Sequence, residues 1–112
     1  MVEHKAKPGD LDIVFAALAD PTRRALLQRL AAQPQTVGEL AQPHQMTLAG
    51  VSKHIHVLQT AGLVRRERRG SFQVVHLKAE PLRQAKAWLE GYERFWIERL
   101  DGLQRLLEKE IP

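Results

Sequence analysis

The chain has 112 residues, 44% of them hydrophobic, with a formal net charge of +4 and a pI of about 9.9. That length supports one modest core, and the charge points to an anionic partner. With no cysteine, disulfides, thiolate metal sites and cysteine redox switches are excluded, and no apolar run of about eighteen residues predicts a membrane span.

Met1 to Gly9 (MVEHKAKPG) is polar, contains Pro8 and Gly9, and reads as a flexible arm. It lacks the apolar centre of a secretory signal, so the expected location is cytoplasmic. Asp10 to Ala19 reads as a first helix with Leu11, Val14, Phe15 and Leu18 on one face. Asp20-Pro21 then supplies an N-cap and a proline at the first helical position. A second helix is expected from Pro21 to about Ala32, with Ala25, Leu26, Leu27 and Leu30 inward and Arg23, Arg24 and Arg29 outward. Gln33-Pro34-Gln35 is a link.

Thr36 to Gly62 reads as two helices and a turn. Thr36 and Glu39 have the spacing of a capping box, and Pro43 ends the short helix. Thr47 can cap the second helix, and Gly62 can stop it in a left-handed conformation. Leu48, Val51, Ile55 and Leu58 form an apolar stripe. Ala49, Lys53, His56 and Thr60 lie opposite, with Ser52 and His54 on the flanks. This is a helix-turn-helix pattern, whose second helix enters the DNA major groove. Leu63 to Arg69 and Phe72 to Leu77 flank Gly70-Ser71 and read as a β-hairpin, the wing of a winged helix.

Glu80-Pro81 repeats the cap-then-proline signal, and a helix is expected from there to about Glu110. Its apolar positions include Leu82, Ala85, Leu89, Tyr92, Phe95, Trp96, Leu100, Leu103 and Leu107. Such a face exceeds what one small domain can cover, so pairing with a second copy is expected, the first helix completing the interface. Asp101-Gly102 could mark a kink or break, since an interior glycine costs roughly 1 kcal/mol against alanine. No internal repeat or low-complexity segment is expected. The predicted fold is mainly α with a small β-hairpin: an arm over 1–9, then one winged helix-turn-helix domain over 10–112, its dimerisation helix at about 81–110.

ALADPTRRALLQRLA, VGELAQP, VSKHIHVLQTAGLVRRERRG and WLEGYERFWIERLDGL together resemble the ArsR (ArsR/SmtB-type) family of bacterial repressors, over roughly Leu18 to Leu107. The resemblance implies a homodimeric winged-helix protein that binds a near-palindromic operator, often at its own promoter, and represses transcription. It also implies an interface built from the terminal helices. Metal-sensing members carry a cysteine-containing motif where this chain has TVGELAQ, or a carboxylate and histidine set on the last helix; from Pro81 onward this chain has no histidine. The likeness is to the cysteine-free branch with the WL…Y..FW…RLD tail, and no metal or other cofactor is expected.

The DNA-binding candidates are Gln45, Thr47, Ser52, Lys53, His54 and His56, with Lys53 foremost, and the wing residues Arg66, Arg68 and Arg69. His54 could anchor to phosphate or pack against a neighbouring helix. On a strand Arg66 and Arg68 share one face and Arg65 and Arg69 the other, so at most half can follow one phosphate track; a charged edge strand that blocks aggregation is the plainer alternative. His4, His44, His54, His56 and His76 show no ligand spacing. The dimer-interface candidates are Leu11, Val14, Phe15, Leu89, Tyr92, Phe95, Trp96, Leu100 and Leu103. Trp88, Tyr92, Phe95 and Trp96 could instead line a pocket for an unknown small-molecule inducer, although packing is the ordinary explanation at helical spacing.

The expected function is therefore a sequence-specific transcriptional repressor that binds double-stranded DNA as a homodimer. The alternatives are a winged-helix protein-interaction module using the long helix, or a repressor with an unrecognised inducer. No paired acid-base or glycine-rich phosphate motif suggests an enzyme.

Overall fold

The computed structural model describes residues 9–44 and 46–110. The order of elements is α1 (Leu11–Leu18), α2 (Pro21–Ala32), β1 (Gln35–Thr36), α3 (Val37–Ala41), a 3-10 turn at Gln42–His44, α4 (Leu48–Thr60), β2 (Val64–Arg69), β3 (Phe72–Leu77) and α5 (Glu80–Glu110). It is a winged helix-turn-helix, mainly helical, with one three-stranded antiparallel sheet.

Four helices start on side-chain caps. Asp10 accepts from the Asp12 N–H at 3.2 Å, and Asp20 from the Thr22 and Arg23 N–H groups at 2.8 and 3.1 Å. Thr36 and Glu39 bond reciprocally at 3.1 and 3.0 Å, the predicted capping box. Thr47 accepts from the Gly50 N–H at 3.0 Å. Gly62, at φ 78°, ends α4. Its N–H donates to Gln59 O and that of Leu63 to Leu58 O, both at 2.9 Å, the paired bonds of a Schellman ending. α5 begins one residue before expectation: the Ala79 carbonyl accepts from the Arg83 N–H, so Glu80 is already helical and does not act as the cap.

The core joins Val14 and Ala17 of α1, Leu26 and Leu30 of α2, Leu40 of α3, Val51, Ile55 and Leu58 of α4, and Val64 and Val75 of the wing. Burying a side chain of this size contributes about 1.5–3 kcal/mol, so α4 is anchored by a three-residue stripe. The fourth predicted member, Leu48, is instead 60% exposed. Val14 is fully buried in this core and has no surface left for a partner, which corrects its assignment to a dimer interface.

The three arginines expected to point outward all donate to carbonyls at helix ends. Arg23 Nε donates to Ala17 O at 2.6 Å and Nη2 to Ala16 O at 3.1 Å, while Arg24 reaches Leu18 O at 2.7 Å. Arg29 donates to Leu40 O and Glu39 O, both at 3.0 Å. These bonds serve last-turn carbonyls of α1 and α3, of which Ala16 O also accepts from the capping Ala19 N–H at 3.3 Å, and they place positive charge at the negative ends of the two helices. The expected link also holds more structure than predicted, because β1 pairs with β3 through Gln35↔Val75 and Thr36↔Val74. Gly9, read as the end of an arm, is tied to the body by a 2.9 Å bond from its N–H to Ala61 O.

α5 runs unbroken through Gly91 and Gly102, so Asp101-Gly102, which could have marked a kink or break, does not interrupt it. Its buried residues end at Ala85; beyond it Trp88, Leu89, Tyr92, Phe95, Trp96, Ile97, Leu100, Leu103, Leu106 and Leu107 are exposed. The helical phase reveals a repeat that the sequence reading did not anticipate. WLEGYERFWIE (88–98) is followed by RLDGLQRLLEK (99–109), which aligns Leu89 with Leu100, Gly91 with Gly102, Arg94 with Arg105 and Trp96 with Leu107. Eleven residues make about three turns at 3.67 residues per turn, so the apolar line hardly drifts around the helix.

Candidate nucleic-acid interface

The exposed face of α4 carries Ala49, Lys53, His56 and Thr60, with Ser52 half-buried at its edge. Among the described residues Lys53 and His56 have no ion-pair or hydrogen-bond partner. Beside this face stands the wing, and an open hollow of about 690 Å³ between them is lined by Ala49, Ser52, Lys53, His56, Gln59 and Arg66. Four DNA-binding candidates, Ser52, Lys53, His56 and Arg66, therefore share one concave surface. Thr47 lies one turn away, its hydroxyl engaged on Gly50. Gln45 and His4 lie outside the described residues.

His54 turns to the other flank. Arg23 Nη1 lies 3.3 Å from its Nδ1, so of the two roles expected for His54 its geometry shows packing against α2. Arg23 thereby touches α1, its own cap Asp20 at 3.9 Å and the recognition helix. α4 is thus oriented by the helices behind it.

The wing arginines divide by strand face. Val64 and Arg66 share the side that covers the core, with Leu77 and Val75 opposite on β3. Arg66 Nη2 donates to Ser52 O at 3.1 Å and Nη1 to Gln73 Oε1 at 3.2 Å. It joins wing to recognition helix and leaves little free for phosphate. On the other face Glu67 sits between Arg65 and Arg69, at 3.5 and 2.7 Å, and His76 Nε2 lies 2.8 Å from its second oxygen. The Arg69 hydrogen bond is the main reason the Glu67 carboxyl is held below its ordinary range; the charge of Arg69 and the contact with His76 add to it. Arg68 is exposed and, among the described residues, bonds only Gly70 O, at 3.3 Å. The cluster thus offers one uncommitted arginine at the tip and a carboxylate-gated pair.

Sequence reasoning passed over Glu67, although the two-residue period of a strand places it between Arg65 and Arg69. It also passed over Phe72, 64% exposed at the wing tip. On α5, Leu89, Tyr92, Phe95, Trp96, Leu100 and Leu103 are exposed as expected of interface candidates. Leu11 and Phe15 are half-buried, with the Phe15 ring 5.5 Å from that of Trp88.

Comparison with known proteins agrees with this geometry. A helix-turn-helix domain family matches residues 18–67. The HTH-type transcriptional regulator Rv2034 of Mycobacterium tuberculosis is 39% identical over 99 residues, which cover 88% of this chain and 90% of that protein. A crystal structure of the ArsR family transcriptional regulator RHA00566 superposes with a TM-score of 0.71 at 43% identity, covering 77% of this chain and 94% of that one. The chain belongs to the ArsR family of helix-turn-helix transcriptional regulators.

The transcriptional repressor SdpR of Bacillus subtilis is 30% identical to this ArsR-family chain over 79 residues, 70% of this chain and 88% of that protein. The solution structure of the homodimeric winged helix-turn-helix DNA-binding domain Mb0332 of Mycobacterium bovis has a TM-score of 0.62 at 26% identity, covering 80% of this chain and 82% of that one. For this ArsR-family chain no described helix is long and apolar enough to cross a membrane.

Proposed function

We propose that this ArsR-family regulator is a repressor that binds a pseudo-palindromic operator as a homodimer in the bacterial cytoplasm. The observation that carries the reading is the exposed, uncommitted Lys53–His56 face of α4 beside a wing that ends in Arg68. A helix presented in this way fits the major groove, where Ser52, Lys53 and His56 contact base edges or nearby phosphates. Arg68, with Arg69 when it leaves Glu67, grips the flanking backbone. The role is binding, not catalysis, and bound dimer blocks transcription by occupying the promoter.

The homodimer reading rests on α5. Ten large apolar side chains stand exposed on it, far more than a stable monomer leaves to water. A second copy meeting this face, with Leu11 and Phe15 at its edge, sets two recognition helices about one DNA turn apart, roughly 34 Å. The homodimeric Mb0332 domain and the repressor SdpR support both parts.

The test is a binding titration on DNA from upstream of the protein's own gene, at two salt concentrations, with random DNA as control. One protected, salt-sensitive site with two half-sites is the expected result, and also establishes autoregulation. Equal, weak binding to both DNAs would leave only a generic basic surface.

A further inference from the structure

Leu48 is out of place. It begins α4, the helix that the proposed function puts in the major groove, and continues the line of Val51, Ile55 and Leu58. Those three are fully buried, whereas Leu48 is 60% exposed and is not among the side chains packed against the core. The core does not need it at that end, because Met46, half-buried against the same cluster, closes it. Phe72 of the wing tip is equally bare and equally absent from the core. The two lie on one open groove of about 520 Å³, together with Val37, Ala49 and Ser52. The groove is continuous with the Lys53 face, since Ala49 and Ser52 line both hollows.

The side chains that open this end of the helix are mostly apolar. The Thr47 hydroxyl accepts from Gly50, and Leu48 and Ala49 have nothing to donate or accept. After Thr47, whose O–H can still donate, the next side chains able to pair with a base edge are Ser52 and Lys53, about one turn on. Yet the N-terminal residues of a recognition helix are those that approach base edges. The one base feature in the major groove that an aliphatic side chain recognises is the C5 methyl of thymine. Lys53 on the adjoining hollow and Arg68, paired across the hairpin with the groove-lining Gln73, suit the phosphates on either side.

We infer that Leu48 is a specificity-determining residue that reads a thymine methyl in each half-site, with Phe72 closing the groove from the wing. This rests on the DNA-binding reading above and adds the base that one position requires. Burial of one methyl against Leu48 corresponds to roughly threefold to tenfold in affinity.

The test starts from a random duplex pool, from which the tightest-binding sequence is selected with the full-length protein. Failure to enrich any sequence would remove the DNA reading and this inference with it. The selected duplex is then made with each thymine replaced in turn by uracil, which deletes only the methyl. The wild-type protein is expected to lose roughly threefold to tenfold at one thymine per half-site, whereas Leu48→Ala binds the thymine and uracil duplexes alike. Phe72→Ala should bind more weakly yet keep the discrimination. The inference is overturned if no uracil position weakens the wild type, if Leu48→Ala keeps the full discrimination, or if Phe72→Ala alone abolishes it. The probe change is made in the DNA and Leu48 is solvent-exposed, so the comparison does not depend on a perturbed fold.

Discussion

Arg66 Nη2 donates to the main-chain carbonyl of Ser52 at 3.1 Å, which fastens the wing to the recognition helix. Its Nη1 holds Gln73 across the hairpin, while its Nε is buried with no hydrogen-bond partner among the described residues. Arg66→Ala should therefore cost about 1 kcal/mol in denaturant unfolding, the two lost bonds being partly offset by removal of the unpaired group. Arg68→Ala, with its exposed side chain, should stay within about 0.5 kcal/mol of wild type. Equal stability losses in both variants would remove the distinction between a tying and a contacting arginine.

Glu67 restrains the positive charge of the wing. Glu67→Gln removes the ion-pair partner of Arg65 and Arg69. Affinity for any DNA should rise, and the dependence of log K on log salt should steepen by about one. Arg68→Ala with Arg69→Ala should do the reverse, lowering affinity across all sequences and flattening the slope. An unchanged slope in the double variant would contradict the placement of the wing on phosphate.

Three carboxyls are held below their ordinary values: Asp20 chiefly by the Arg23 N–H, Glu39 chiefly by the Thr36 N–H, and Glu67 chiefly by the Arg69 side chain. Depressed folded-state values mean that this stabilisation is present above the ordinary values of 3.8 and 4.5 and is lost as pH falls through the lower folded ones. Tm should hold down to about pH 5 and then decline. Glu39→Gln should show a shallower decline than wild type, because it has one shifted carboxylate fewer to protonate. A decline of unchanged steepness would show that the capping box does not contribute to it.

Much of the fold was legible because it is local. Asp20, Thr36, Thr47 and Gly62 act on groups within a few residues of themselves, and each does what its type and spacing indicate. The partners of Arg23 and Arg29 were not legible, because Leu40 O lies eleven residues beyond Arg29 and becomes adjacent only when α3 folds against α2. β1 was hidden for the same reason, its partner Val75 being forty residues further on. Leu48 shows a further limit. Period places it on the core-facing line, but period does not say where the core ends.

Leu100 is exposed near the middle of the bare stretch of α5. Leu100→Glu should convert a dimer to a species of 12.7 kDa in sedimentation, and DNA affinity should fall roughly a hundredfold as the two half-site contacts become independent. Wild-type mass in the variant would place the interface elsewhere.

The most direct test is the stoichiometry of the complex on a duplex that carries the footprinted site. Two protomers bound cooperatively to two half-sites about 10 bp apart, centre to centre, is the predicted result. One protomer on an asymmetric site, with α5 still exposed, would contradict it.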